Sequence, residues 1–359
     1  MHADFWRDRR VLVTGHTGFK GGWLTLWLAR LGAQVTGLAL AAEPMRNVFV
    51  DADVENSCTS KLHDIRDVDA VRETVRAARP EVVFHLAAQP LVRASYGDPV
   101  ATWSTNVMGT AHVLDACRFS DEVRAIVVVT SDKCYEHEGA PTRSFVEGDA
   151  LGGHDPYSGS KAAAETAAAS WRRSFFANGD VGVATARAGN VIGGGDWSAD
   201  RLVPDLVRSV VEQASVAIRS PRSTRPWQHV LDPLAGYLAL ARALHRAPSD
   251  FDEPWNFGPD EAASWPVGRV AEAFVAALDR GARWHVAEDA SLHEAGALAL
   301  DSRKARERLG WAPCFSTGEA IVATAEAYRS VLDGQSLRAV IERQIDAYVT
   351  RADLAFATA

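Results

Sequence analysis

Val11-Leu12-Val13-Thr14-Gly15-His16-Thr17-Gly18-Phe19-Lys20-Gly21 is a short apolar, strand-forming run that breaks into a G-x-x-G-x-x-G turn. Glycines at that spacing let the backbone fold tightly and approach a pyrophosphate. The helix opening behind the turn offers free N–H groups and the positive end of its dipole to the anion. Behind it, the Ala- and Leu-rich segment Lys20–Leu31 is bounded by Gly32, a helix stop, and a second β-branched run follows at Gln34-Val35-Thr36.

The rhythm continues through Glu81-Val82-Val83-Phe84, Ala125–Val129 and Val181-Gly182-Val183-Ala184, with helical segments expected at Val68–Ala78, Val107–Arg118 and Ser158–Ala177 and a stop at Gly179. Strands alternating with helices predict an α/β fold: a doubly wound parallel Rossmann-type sheet with a smaller C-terminal substrate-binding lobe. After Arg187 the rhythm breaks into Gly189-Asn190-Val191-Ile192-Gly193-Gly194-Gly195-Asp196 and a Pro- and Arg-bearing stretch through Trp227, where the second lobe begins. The expected division is residues 1–186 for the dinucleotide domain with a contribution from about 227–258, residues 187–226 and 259–330 for the substrate lobe, and 331–359 for a helical tail. Helical apolar spacing over Thr317–Leu354 predicts that the tail packs back on the body.

A chain of 359 residues, 47% hydrophobic, suffices for one large core plus a lobe. Its formal charge of 38 − 46 = −8 argues against a nucleic-acid partner, so any anionic ligand must meet a local cationic cluster. Cys58, Cys117, Cys134 and Cys314 lie far apart without a CxxC pair, which points away from zinc and from a disulfide framework. With no apolar leader and no run long enough to span a bilayer, the expected setting is the cytoplasm.

Two further strand ends agree with a dinucleotide site: Asp64-Ile65 is placed to meet adenine, and His85-Leu86-Ala87-Ala88-Gln89 to line the nicotinamide side. The second strand ends Gly37-Leu38-Ala39-Leu40, with no carboxylate for the adenosine ribose, so these residues leave NAD and NADP both open and predict weakened cofactor retention. Arg46 reads either as a 2′-phosphate partner or as a surface arginine.

Tyr157-Ser158-Gly159-Ser160-Lys161 puts a phenol and an ammonium on one helix face. A free phenol ionises near pH ~10, so holding it ionised at neutrality requires about 4 kcal/mol from positive charge, here Lys161 and an oxidised nicotinamide. Of 38 cationic residues only five are lysines, Lys20, Lys61, Lys133, Lys161 and Lys304, and three of the five fall in these motifs. Lysine has a movable pKa and arginine does not, an argument strong for Lys133 and Lys161 and weaker for Lys20. The fifth strand ends Thr130-Ser131-Asp132-Lys133-Cys134-Tyr135, delivering a hydroxyl, a carboxyl and an amine to the edge where such sheets bind ligands.

At these residues the chain resembles the extended short-chain dehydrogenase/reductase superfamily and, within it, the nucleotide-sugar 4,6-dehydratases of the CDP-glucose branch. The likeness runs through Phe5-Trp6, VTGHTGFKGGW from Val13, AAQPLVR from Ala87, TSDKCY from Thr130, DPYSGSK from Asp155, RAGNVIGGGDW from Arg187 and RPWQHV from Arg225. In the dTDP-glucose enzymes the strand-five trio is Thr-Asp-Glu; Ser131-Asp132-Lys133 is similar to the CDP branch. The resemblance implies NAD as cofactor, held by Gly15, Thr17, Gly18, Phe19, Lys20, Gly21, Asp64, Ile65, Leu86, Ala87, Ala88, Gln89, Thr105, Tyr157 and Lys161. It implies a sugar diphosphate held by Asn190, Arg201 and Arg225, with His293 among the substrate contacts. It also implies a homodimer joined through a four-helix bundle of the helices following Asn106 and Tyr157.

The implied chemistry is dehydration: Tyr157 takes the 4-OH proton as C4 is oxidised, Asp132 protonates the departing C6 hydroxyl, Lys133 acts as C5 base or enolate stabiliser, and Ser131 holds the 4-oxygen. A 4-epimerase would share Tyr157 and Lys161 but needs no acid and base at C5 and C6. A catalytically silent cofactor-binding regulator would have no use for either pair.

Overall fold

The computed structural model describes residues 3–43, 46–136, 143–259, 264–287 and 299–357. Seven strands form one parallel sheet: β1 Arg10–Thr14, β2 Gln34–Ala39, β3 Thr59–Leu62, β4 Val82–His85, β5 Ala125–Val129, β6 Gly182–Ala188 and, much later, Pro254–Phe257. Their spatial order is Pro254–Phe257, β6, β5, β4, β1, β2, β3. The order reverses between β1 and β4, so the loops leaving these strands diverge and open a crevice at their carboxyl ends.

Two strands lie outside the five read from apolar runs. Thr59-Ser60-Lys61-Leu62 is polar because β3 is an edge strand with Thr59, Lys61 and Leu62 exposed. Pro254–Phe257 closes the opposite edge and starts on a proline, a residue sheets tolerate at such a position.

Both faces of the sheet are covered, as a parallel sheet requires. Along β1 and β5, Val11, Val13, Ala125, Val127 and Val129 join one core with Trp23 and Trp27 of helix Phe19–Arg30, while Leu12, Ile126 and Val128 join another with Val71, Val75, Val113 and Leu114. Helix Val68–Ala78 has its expected bounds because Asp67 caps it, accepting from the N–H groups of Asp69 and Ala70. The helix expected over Val107–Arg118 starts earlier, at Pro99 behind an Asp98 cap, and passes through a π-helical turn at Ser104–Met108 before Gly109–Cys117.

A smaller core gathers Val203, Leu206 and Val207 of helix Leu202–Glu212, Phe274 and Leu278 of helix Val267–Leu278, and Ile321 and Tyr328 of helix Thr317–Leu332. The chain then turns at Gly334 into helix Leu337–Ala357, whose Ile341, Ile345 and Tyr348 return to the main core beside Trp27. Trp23 joins helix Phe19–Arg30 to the Gly-rich stretch after β6, its indole N–H donating to Gly194 O at 2.9 Å. Among the described residues no helix is long and apolar enough to cross a membrane.

Candidate active site

The glycine turn closes onto the strand beside it. Gly15 has φ of 78°, and a Cβ there would fall 2.7 Å from Ala87 N; one on Gly21 would fall 2.0 Å from Gly15 O. Helix Phe19–Arg30 begins at Gly18 with no side-chain cap and no acidic residue in its first turn, so its leading N–H groups meet no protein carboxylate. That is the environment a pyrophosphate fits.

Of the described residues expected at the site, all but His85 and Gln89 line one cavity of about 1380 Å³. Pockets for a single drug-sized ligand run from about 300 to 1,000 Å³, so this one has room for a dinucleotide beside a nucleotide sugar. Gln89 faces inward: its side-chain amide bonds Leu91 O and the Thr102 hydroxyl, while Asn106 from the π turn grips its backbone N–H and C=O. His85 is likewise off the cavity wall, fixed between the hydroxyls of Thr14 at 2.7 Å and Thr110 at 2.9 Å. Both read as nicotinamide-side residues because sequence places them on the right loop without saying which way they point. His293 lies outside the described residues.

At the adenosine end the wall is Ala39, an exposed Leu40, Asp64 and Ile65. Asp64 is engaged by Arg66 through paired hydrogen bonds, which hold its carboxyl below the usual range. Arg46 stacks on Trp197 with 4.8 Å to the ring centroid and pairs with Asp51 at 3.4 Å, off the cavity wall, and so is not placed to read a 2′-phosphate.

The groups expected to react come from two stretches of chain. Helix Pro156–Phe175 starts at an Asp155 cap with Pro156 in its first turn, so Tyr157 and Lys161 stack one turn apart, both buried. Strand β5 delivers Ser131, Asp132 and Lys133, with the Ser131 hydroxyl donating to Asp132 Oδ1 at 3.0 Å and accepting from Lys133 N–H at 3.2 Å. Asp132 Oδ2 is buried without a hydrogen-bond partner, 3.2 Å from where a Cβ on Gly189 would sit.

Burial governs the electrostatics. It raises the Asp132 carboxyl against the pull of Lys133, Ser131, Arg225 and Lys20. It lowers Lys161 to about 8, opposed by Glu165, and lowers Lys20 to about 8 as well, helped by the neighbouring charges of Lys161 and Arg201. Lys20 is therefore shifted in the same direction as Lys161. Tyr157 is pushed up to about 12 by burial, with Ser131 and Arg201 pulling it down. The protein's own groups do not ionise this phenol at neutrality, and Lys161 directs its Nζ at Val129 O, 3.3 Å away.

On the substrate side, Arg225 is buried and donates to Thr224 O at 2.9 Å, and Arg201 pairs with Asp196 at 2.8 Å. Tyr328 in turn donates its hydroxyl to Asp196 O. Sequence reading passed over these supports, along with Arg93 and Asp200, which pair across the cavity from opposite lobes, and the buried Glu165–Arg187 pair. The extension of Tyr157-Lys161 by four more residues to Glu165 was the available signal for the last.

The sequence profile described as the NAD dependent epimerase/dehydratase family matches residues 11–256. The CDP-glucose 4,6-dehydratase of Salmonella typhimurium is 43% identical over 355 residues, covering 98% of this chain and 99% of the relative. The UDP-glucose 4-epimerase of Mycolicibacterium smegmatis is 28% identical over 325 residues, 89% of this chain and 99% of its own. In fold, the chain is similar to the dTDP-glucose 4,6-dehydratase of Streptomyces venezuelae solved with NAD bound, with TM-score 0.77 at 22% identity, covering 91% of this chain and 98% of that one.

Proposed function

The chain belongs to the NAD dependent epimerase/dehydratase family, and we propose that within it this protein is a nucleotide-sugar 4,6-dehydratase acting on CDP-glucose. The observation that carries the reading is Asp132: a buried carboxyl, raised by desolvation, with one oxygen unpartnered, in the cavity that also holds Tyr157. A carboxyl biased toward its protonated form suits the loss of a hydroxyl, and an epimerase has no task for it.

The uncapped turn Gly15–Gly21, with Lys20, would hold the NAD pyrophosphate, and Asp64, Ile65, Leu86, Ala87, Ala88 and Thr105 would line its two ends. When bound, NAD supplies a hydride acceptor for the sugar C4 and a donor later in the same turnover, together with a positive charge beside Tyr157. Tyr157, held as a phenolate by Lys161 and that added positive charge, takes the 4-OH proton and becomes the neutral phenol. The Ser131 hydroxyl holds the 4-oxygen. Asp132 hands its proton to the departing C6 hydroxyl, and Lys133 takes the C5 proton or stabilises the enolate. Asn190, Arg201 and Arg225 meet the sugar diphosphate, a cluster of local donors in an otherwise acidic chain.

The exposed side chains of Val100, Trp103 and Met108, spaced along one face of the helical run Pro99–Cys117, support a homodimer in which this run and helix Pro156–Phe175 pair with their copies. Sedimentation velocity would read a dimer for the parent and a shift toward monomer for Trp103→Glu.

Mass spectrometry of CDP-glucose incubated with the protein and NAD is expected to reveal a product lighter by one water. Conversion to an isomer of unchanged mass would make the protein an epimerase, and no conversion with intact NAD binding would make it a silent cofactor-binding protein.

A further inference from the structure

Helix Pro156–Phe175 carries a third buried ionisable side chain beyond Tyr157 and Lys161. Glu165, two turns after Tyr157, is 3% exposed. Its Oε1 accepts from the Thr130 hydroxyl and from Arg187 Nε at 2.9 Å; its Oε2 accepts from Arg187 Nη2 and from the Thr185 hydroxyl, each at 2.7 Å. All four acceptor positions are filled. Arg187 is equally engaged, giving its remaining bonds to the Tyr135 hydroxyl at 2.7 Å and to Glu147 O at 3.1 Å, and Tyr135 passes its own proton to Asn256 Oδ1 at 2.7 Å.

The placement ties this cluster to the reacting groups. Lys161 bonds Val129 O, and Glu165 bonds the next residue, Thr130, so one helix face holds the last residue of β5 and the one that follows it. Ser131, Asp132 and Lys133 follow directly. We infer that Glu165 is a positioning residue: through Thr130 it sets the end of β5 against the Tyr157 face, and its carboxylate, held in place by Arg187, is the counter-charge of the Lys161 ammonium.

The other ionisable groups around Lys161 do not take that role. Lys20, from the glycine-turn helix, repels it; His85, from β4, is neutral, driven down to about 3 by burial; and Cys134, beyond β5, keeps its proton because burial pushes the thiol up. Glu165 remains ionised because its hydrogen bonds and Arg187 outweigh desolvation, and it opposes the burial that lowers Lys161.

The inference builds on the dehydratase reading, yet its main test needs no substrate. With only five lysines in the chain, 13C-lysine NMR resolves each side chain, and Lys161→Met assigns the signal of interest. That signal is expected to titrate at about 8 in the parent, and in Glu165→Gln to titrate lower by about one pH unit or more. Should Arg187, left unpaired, prevent folding, the double variant Glu165→Gln/Arg187→Met is measured instead, with a smaller fall in the same direction. An unchanged Lys161 titration in a folded variant overturns the inference. With CDP-glucose and NAD, the alkaline limb of the kcat profile is expected to move down with the lysine while KM stays near the parent value; a loss of activity without movement of that limb would reduce Glu165 to a purely structural role. A parent without turnover defeats the functional reading alone, and the lysine titration still decides the role of Glu165.

Discussion

Two buried carboxylates stand at the carboxyl edge of the sheet, and they have opposite surroundings. Glu165 accepts four hydrogen bonds, two of them from a guanidinium, and is held below the usual carboxylate range. Asp132 accepts one from Ser131, keeps an orphaned oxygen, and is raised. Desolvation acts on both; pairing decides which remains an anion. A fully paired carboxylate is a fixture, and an underpaired one is a proton carrier.

The largest effect expected from this contrast is on chemistry. Asp132→Asn removes the proton donor without removing packing, so dehydrated product should fall about 10²- to 10⁴-fold while the NADH band still appears in a single turnover. Product at the parent rate would end the assignment, whereas loss of the NADH band, as expected for Tyr157→Phe, would move Asp132 into the first oxidation step.

On the paired side the expected loss is of stability. Arg187→Met strands Glu165 and should destabilise the fold by about 3–5 kcal/mol, with most of it recovered when Glu165→Leu is added. Chemical denaturation of the single and double variants checks this; additive losses would mean that the two residues do not act as a pair.

pH separates the two carboxylates by sign. Glu165 has a lowered folded value, so its contribution is complete above 4.5 and fades as pH falls through that folded value. Asp132 has a raised one, so its contribution is complete below 3.8 and lost as pH rises through the folded value. The melting temperature of Asp132→Asn relative to the parent should therefore climb as pH rises above 3.8 and through the folded value. A flat difference would place Asp132 at an ordinary carboxylate value.

The smallest effect tests pairing without burial. Arg93 and Asp200 pair across the cavity, but their side chains are 48% and 39% exposed, so Arg93→Met should change stability by about 0–1 kcal/mol. A larger loss in thermal melts would show that this pair clamps the lobes together.

Much of this was legible in the chain. The short apolar strand runs and the glycine turn carry local signals, and Tyr157, Lys161 and the strand-five trio stand out because the proposed chemistry demands particular residue types at fixed spacing. Glu165 and Arg187 escaped because they sit 22 residues apart, on a helix and a strand, and each alone reads as an ordinary charge. The inward rotation of Gln89 and of His85 escaped for a related reason: a loop can be placed from sequence, but the direction of a side chain on it depends on Asn106, Thr14 and Thr110 from other elements.

Sequence alone determined the fold class and the glycine turn and nominated the groups proposed to react, since these rest on signals within a few residues. Only the tertiary structure decided their protonation: which carboxyl is paired, which lysine is shifted, and that Tyr157 lies at about 12 before any cofactor adds its charge. Desolvation and charge pairing depend on what surrounds a group in space, and at this site the surroundings come from β4, β5, β6 and two helices that meet only when the sheet has closed.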